Sequence, residues 1–190
     1  MTKKILLSLM LVALFASCIR ERWDEDNRQF IVRVGDKVDL DFEMELFRGG
    51  KVNLADYTGR VILIQFATYY CEMTQRKMGH IEPQIWQKHK PNPNFKLLAI
   101  ARGSENTPEN IENILLSAVH YFTGATVTYP IAMDPNRDFF ARFAQRDGGA
   151  TRDILIGKDG HIEKLTRFFS RDGMAEFNEL VARIDELLAD

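Results

Sequence analysis

Residues 60–67 read RVILIQFA, a nearly unbroken apolar run rich in branched side chains. The run is too short for a core helix and apolar at both alternating positions, so it reads as a strand covered on both faces. A strand of that kind needs layers above and below it, which directs the chain toward a helix-and-sheet sandwich. Two further segments fit beside it: FKLLAIA at 95–101 as a second buried strand, and TYPIAMD at 128–134 as a third. Between them, residues 73–89 place Met78, Ile81, Ile85 and Trp86 at helical spacing, with Gly79 and Pro83 expected to bend the helix. TPENIENILLSAVHYF opens with Thr107 as N-cap and Pro108 at the first helical position. A short helix is expected over 137–145, a hairpin turning at Asp159-Gly160, and a last helix over 173–188 with Phe177, Leu180, Val181, Ile184 and Leu187 inward. Upstream, Val38, Leu40, Phe42, Met44 and Leu46 alternate before Gly49-Gly50, an N-terminal hairpin. The order describes an α/β fold, a mixed sheet with helices on both faces.

The first 18 residues, MTKKILLSLMLVALFASC, put two lysines before an apolar stretch and small residues before Cys18. This is the pattern of a secretory signal, and the stretch is well short of the ~20 apolar residues of a membrane span. Small residues directly before a cysteine resemble the lipobox of bacterial lipoproteins, although Phe15 stands where that pattern usually has leucine. The expectation is a signal peptide over 1–17, a polar tether over 18–30, and one domain over 31–190. Cys18 is then lipidated and holds the protein to the bacterial envelope, facing the periplasm or the cell exterior; plain secretion is the alternative. A formal charge of -2 and pI near 6.1 offer no basic surface for a phosphate backbone, so nucleic acid is not an expected partner. With Cys18 acylated, Cys71 has no second cysteine in its own chain.

The element order and four local stretches, VGDKVDLDFEM, GRVILIQFATYYC, TYPIAMD and ILIGKDGHI, together resemble a known family. From about Val34 to Leu188 the chain is similar to thioredoxin-fold proteins of the TlpA-like type. These are periplasmic thiol-disulfide oxidoreductases that overlap with the alkyl hydroperoxide reductase and peroxiredoxin superfamily. The resemblance implies that Cys71 is the nucleophile at the start of a helix. The family's Trp-Cys-x-x-Cys appears here as Tyr70, Cys71, Glu72, Met73 and Thr74, so Thr74 stands where the resolving cysteine belongs. Its hydroxyl can donate to a thiolate but cannot close a disulfide. The cis-proline of the family falls at Thr151, followed by Arg152, and a trans peptide is expected there because a non-proline cis bond costs about 2.5–4 kcal/mol. The buried carboxylate of thioredoxin corresponds to Gln65, which accepts no proton.

A thiolate is the reactive form, and a helix start favours it by about 0.3–1 kcal/mol. Glu72 opposes that, with Arg76 and Lys77 a turn further on as partial compensation. Three readings follow. Cys71 acts as a monothiol on protein or small-molecule disulfides, released by an external reductant, with Tyr70 lining the substrate groove and Arg152 orienting the thiolate or a peptide carbonyl. Alternatively the fold is a redox-inactive binding module. A third reading is a one-cysteine peroxidase, because Thr68 precedes Cys71 as in the Thr-x-x-Cys of peroxiredoxins. No cofactor is implied. His80, His89, His120 and His161 lack ligand spacing and read as surface or helix-face residues, so no metal is expected. Asp134 and Asp159 read as a cap and a turn residue.

Overall fold

The computed structural model describes residues 30–149, 152–166 and 174–189. Seven strands form one mixed sheet: β1 (Glu43–Leu46), β2 (Lys51–Asn53), β3 (Val61–Ala67), β4 (Phe95–Arg102), β5 (Ile131–Asp134), β6 (Arg152–Ile156) and β7 (Ile162–Thr166). Their order is β2-β1-β5-β4-β3-β6-β7. The RVILIQFA run supplies β3, every residue of which is buried. It lies parallel to β4, from Val61 opposite Phe95 to Ala67 opposite Ala101, and antiparallel to β6, with Gln65 opposite Asp153 and Phe66 opposite Arg152. The N-terminal hairpin pairs through Met44 and Val52 and joins the sheet along β5.

Alternation along β3 feeds two cores. Val61, Leu63 and Ala67 face Met78, Ile81, Ile85, Ile111, Leu115, Val119, Phe177, Leu180 and Ile184. Ile62, Ile64 and Phe66 face Leu54, Phe139, Phe140 and Phe143. The first face carries the long helices and the second the N-terminal hairpin with two single 3-10 turns, Leu54–Tyr57 and Phe140–Arg142. Phe66 meets Phe140 edge-on at 4.9 Å between ring centroids, an arrangement that adds to simple burial.

The helix after β3 runs as α1 (Glu72–Ile81), a π turn (Glu82–Trp86) and α2 (Gln87–His89). Pro83 has no N–H to continue the α ladder, and the Gln87 amide donates to the Glu82 carbonyl, five residues back. Gly79, expected to bend this helix, has a different role: a Cβ there would overlap the Thr123 side chain, so glycine lets the helix ending at Thr123 pack closely. That second helix begins at Pro108 with α3 (Pro108–Asn110), where Thr107 Oγ1 accepts the Asn110 amide at 3.2 Å. It passes through a second π turn (Ile111–Leu116) and ends as α4 (Ser117–Thr123), closed by Gly124 in the left-handed conformation. α5 (Ala175–Ala189) packs Phe177, Leu180 and Ile184 on the same face.

Candidate active site

Cys71 stands where β3 leaves the sheet and α1 starts. Its backbone is extended at φ -91 and ψ 108, the N-cap of α1, and the residue is half-buried. Backbone contacts hold it there: its amide reaches the Thr68 carbonyl at 3.4 Å, and its carbonyl accepts the Gln75 amide at 3.0 Å. The preceding turn is fixed from both sides. Gln75 Nε2 donates to the Tyr69 carbonyl at 2.7 Å, and Asn106 Oδ1 accepts the Tyr69 amide at 2.8 Å. Asn106 in turn donates to the Arg102 carbonyl at 2.6 Å, so the loop after β4 clamps the loop after β3. Neither Gln75 nor Asn106 stood out in the sequence. The one available signal was a glutamine on the inward side of an amphipathic helix.

Thr74 follows on the first turn of α1 and is fully buried. Tyr69 and Tyr70 meet edge-on at 5.2 Å, and Tyr70 stands 60% exposed beside the thiol. A cleft of about 430 Å³ opens nearby, lined among others by Met44, Ser104, Asn106, Pro108, Met133 and Asp134. Asn106 belongs both to this cleft and to the clamp on Tyr69.

The charges expected around the thiol are arranged differently. Arg76 Nε binds Glu72 Oε1 at 2.8 Å, so the two offset one another. Lys77 is buried against Asp153 instead, with Thr166 Oγ1 donating to Asp153 Oδ2 at 2.6 Å and accepting from Lys77 Nζ at 3.2 Å. The expected compensation of Cys71 by Lys77 is therefore corrected: its ammonium is bound to the sheet. A polar residue opposite Gln65 in the register explains how Asp153 arrives under the helix. Gln65 Oε1 accepts from the Tyr129 hydroxyl at 3.0 Å. Burial holds that phenol well above its ordinary pKa, with the charges of Glu82 and Asp153 acting in the same direction, so it remains a donor.

Thr68 is buried, and its hydroxyl has no hydrogen-bond partner among the described residues. Arg152, read from the sequence as a loop cation, is the first residue of β6 and buried. Its Nε donates to the Gly149 carbonyl at 3.0 Å and its guanidinium lies 4.0 Å from the Phe30 ring centroid. Stacking on that ring pulls it inward. Cys18 and Thr151, including the peptide bond before Thr151, lie outside the described residues. His89 takes the helix-face alternative: it is buried against Phe95, because α2 turns its inward side onto β4. Asp134 caps the turn after β5, accepting the amides of Asp138 and Phe140 at 2.8 Å each, and Asp159 Oδ1 accepts the His161 amide at 3.0 Å. Among the described residues no three His, Cys, Asp or Glu side chains converge as metal ligands.

Comparisons with known proteins agree with this arrangement. Residues 34–165 match the model of the AhpC/TSA family. A solution structure from Bacteroides thetaiotaomicron, named as a candidate protein disulfide isomerase, is 38% identical, with a TM-score of 0.73 over 85% of this chain and 94% of that one. The thiol-disulfide oxidoreductase ResA of Halalkalibacterium halodurans is 24% identical over 80% of this chain and 78% of its own. A yeast mitochondrial 1-Cys peroxiredoxin shares the fold, at 15% identity and a TM-score of 0.62 over 84% of this chain and 78% of that one. With the family's strand-to-helix junction built around Cys71 and the family match spanning most of the domain, the chain belongs to the AhpC/TSA family.

Proposed function

We propose that the protein is a thiol-disulfide oxidoreductase that uses Cys71 as a monothiol. The observation that carries this is the placement of a half-buried cysteine at the N-cap of α1, in a family of thiol proteins, with Thr74 three residues later. In the forward step the Cys71 thiolate attacks one sulfur of a substrate disulfide. A Cys71–substrate S–S bond forms, the substrate S–S bond breaks, and the second substrate sulfur departs as a thiolate. An external thiolate then attacks the mixed disulfide, forms its own S–S bond with the substrate sulfur, and restores the Cys71 thiolate. No second cysteine in the domain performs this release, so the enzyme depends on a separate thiol. The two thiolates balance, and Cys71 ends in the state in which it began. Tyr70 and the cleft beside Asn106 offer the surface on which a substrate chain would lie. The names of the Bacteroides and Halalkalibacterium relatives support the disulfide chemistry. The signal and lipobox resemblance at Cys18 support an envelope tether.

A redox-inactive binding module is the second reading. Gln65 favours it: an amide bonded to the Tyr129 hydroxyl occupies the place of a proton-accepting carboxylate. Alkylation of Cys71 as a function of pH, with and without prior hydrogen peroxide, separates the readings. A thiol that reacts at neutral pH in the folded state supports exchange, loss of alkylation to a sulfenic acid points to peroxidase chemistry, and an inert thiol leaves only the binding module.

A further inference from the structure

Arg102 ends β4 on the same edge of the sheet from which Cys71 projects. It is 5% exposed, its guanidinium 4.4 Å from the Phe140 ring centroid, and both Nε and Nη1 are buried without a hydrogen-bond partner among the described residues. A cation buried this deeply is costly, and proteins ordinarily pair it. The nearby acids are occupied. Glu105 binds Arg137 at 3.4 Å, and Asp134 accepts the amides after β5. Burial, and after it the positive charge of Arg137, push the Arg102 guanidinium below its ordinary pKa, against the pull of Tyr70, Glu105 and Asp134.

The second orphan lies beside it. The parallel register ends with Ala67 opposite Ala101, the residues that immediately precede Thr68 and Arg102. Alternation places both side chains on the face of Phe66 and Phe140. Thr68 Oγ1 is buried and has no partner among the described residues. Two adjacent strand ends therefore hold three unsatisfied polar atoms, one of them on the residue three before the nucleophile, at a point the Asn106 clamp connects to the Cys71 loop.

We propose that Arg102 and Thr68 form an anion subsite that binds the carboxylate of a small sulfur substrate while its sulfur reaches Cys71. One unpartnered guanidinium N–H and a neighbouring hydroxyl donor supply a hydrogen bond to each of the two oxygens of a carboxylate. This deepens the monothiol reading and rests on it: low-molecular-weight disulfides and thiols bearing a carboxylate are selected over neutral ones of similar reactivity.

The test uses the full chain carrying Cys18→Ser, so that one thiol reports. Its rates with 5,5'-dithiobis(2-nitrobenzoate), a dianionic disulfide, and with neutral 2,2'-dithiodipyridine are measured and expressed as a ratio. Arg102→Gln should lower that ratio about tenfold, the size of one lost charge-assisted hydrogen bond. Thr68→Val should lower it about threefold. Lys158→Gln, which removes an equal charge at the β6–β7 turn on the opposite edge of the sheet from Cys71, should move it less than twofold. An unchanged ratio in Arg102→Gln, or an equal fall in Lys158→Gln, overturns the subsite. Should Arg102→Gln fail to fold, Arg102→Lys keeps the charge without the guanidinium N–H donors and should give an intermediate ratio; a wild-type ratio overturns the proposal. If Cys71 reacts with neither disulfide, the monothiol reading has failed, and the subsite is decided separately. S-methylglutathione, which carries carboxylates but cannot exchange, should raise the Tm of the parent chain and not of Arg102→Gln, and equal shifts would overturn it.

Discussion

Replacing Lys77 with methionine removes the cation that ties α1 to the sheet. The Lys77 and Asp153 side chains are 3% and 0% exposed, so both ions are cut off from water. At an effective dielectric of 20, opposite charges ~3 Å apart attract by about 5 kcal/mol. That attraction offsets desolvation penalties of several kcal/mol per ion, leaving the intact pair close to neutral for stability. Methionine fills much of the lysine stem's volume, so the cavity contribution is small. What remains is a buried carboxylate held, among the described residues, by the Thr166 hydroxyl alone. Lys77→Met should therefore cost about 3–5 kcal/mol, whereas Lys77→Met with Asp153→Leu, which removes both charges, should return to within about 2 kcal/mol of the wild type. Urea unfolding followed by far-UV circular dichroism measures both, with equal slopes confirming that the unfolded states are comparable. Equal destabilisation of the single and double variants would refute the reasoning, because the loss would then come from packing and not from a stranded charge.

Gly79→Ala should destabilise by about 1–3 kcal/mol in the same unfolding assay, since the overlap with Thr123 outweighs the roughly 1 kcal/mol that alanine gains in a helix. A more stable variant would contradict the close approach. His89 gives a pH dependence. Burial holds its imidazole below the ordinary value, more strongly than Asp185 raises it, so below about pH 6.5 the unfolded chain binds the proton better and stability falls as pH drops. His89→Gln should flatten the decline of Tm between pH 7 and 5, and an unchanged slope would contradict this. In the chain carrying Cys18→Ser, Thr74→Cys should form an internal disulfide with Cys71 on mild oxidation, because positions three apart at a helix start lie within bridging distance, and Cys71 should then resist alkylation until reduced. Continued alkylation at the rate of the parent chain would contradict the shared face.

The elements were readable where local chemistry decides them. The RVILIQFA run, the Thr107-Pro108 helix start and the Asp159-Gly160 turn all carry their own signals, and Gly160 adopts the left-handed φ of 83° that the turn requires. The position of Cys71 at a strand-to-helix junction was equally legible. Long-range pairing was not. Lys77 looks like a helix-surface cation, and only the register that sets Asp153 opposite Gln65 brings an acid beneath it. Arg102 and Arg152 each follow or open an apolar strand, where an arginine ordinarily reaches solvent. The rings of Phe140 and Phe30, distant in sequence, draw them inward. Gly79 shows the same limit: its spacing within the helix is visible, but the neighbour that requires it is Thr123, 44 residues on.

The direct measurement is intact mass of the folded chain carrying Cys18→Ser after incubation with a small disulfide, compared with the same chain carrying Cys71→Ser as well, before and after adding an external thiol. One substrate moiety should attach through Cys71, be absent in Cys71→Ser, and leave when the thiol is added. A folded chain that acquires no adduct, or one whose adduct survives the thiol, contradicts the exchange cycle proposed for Cys71.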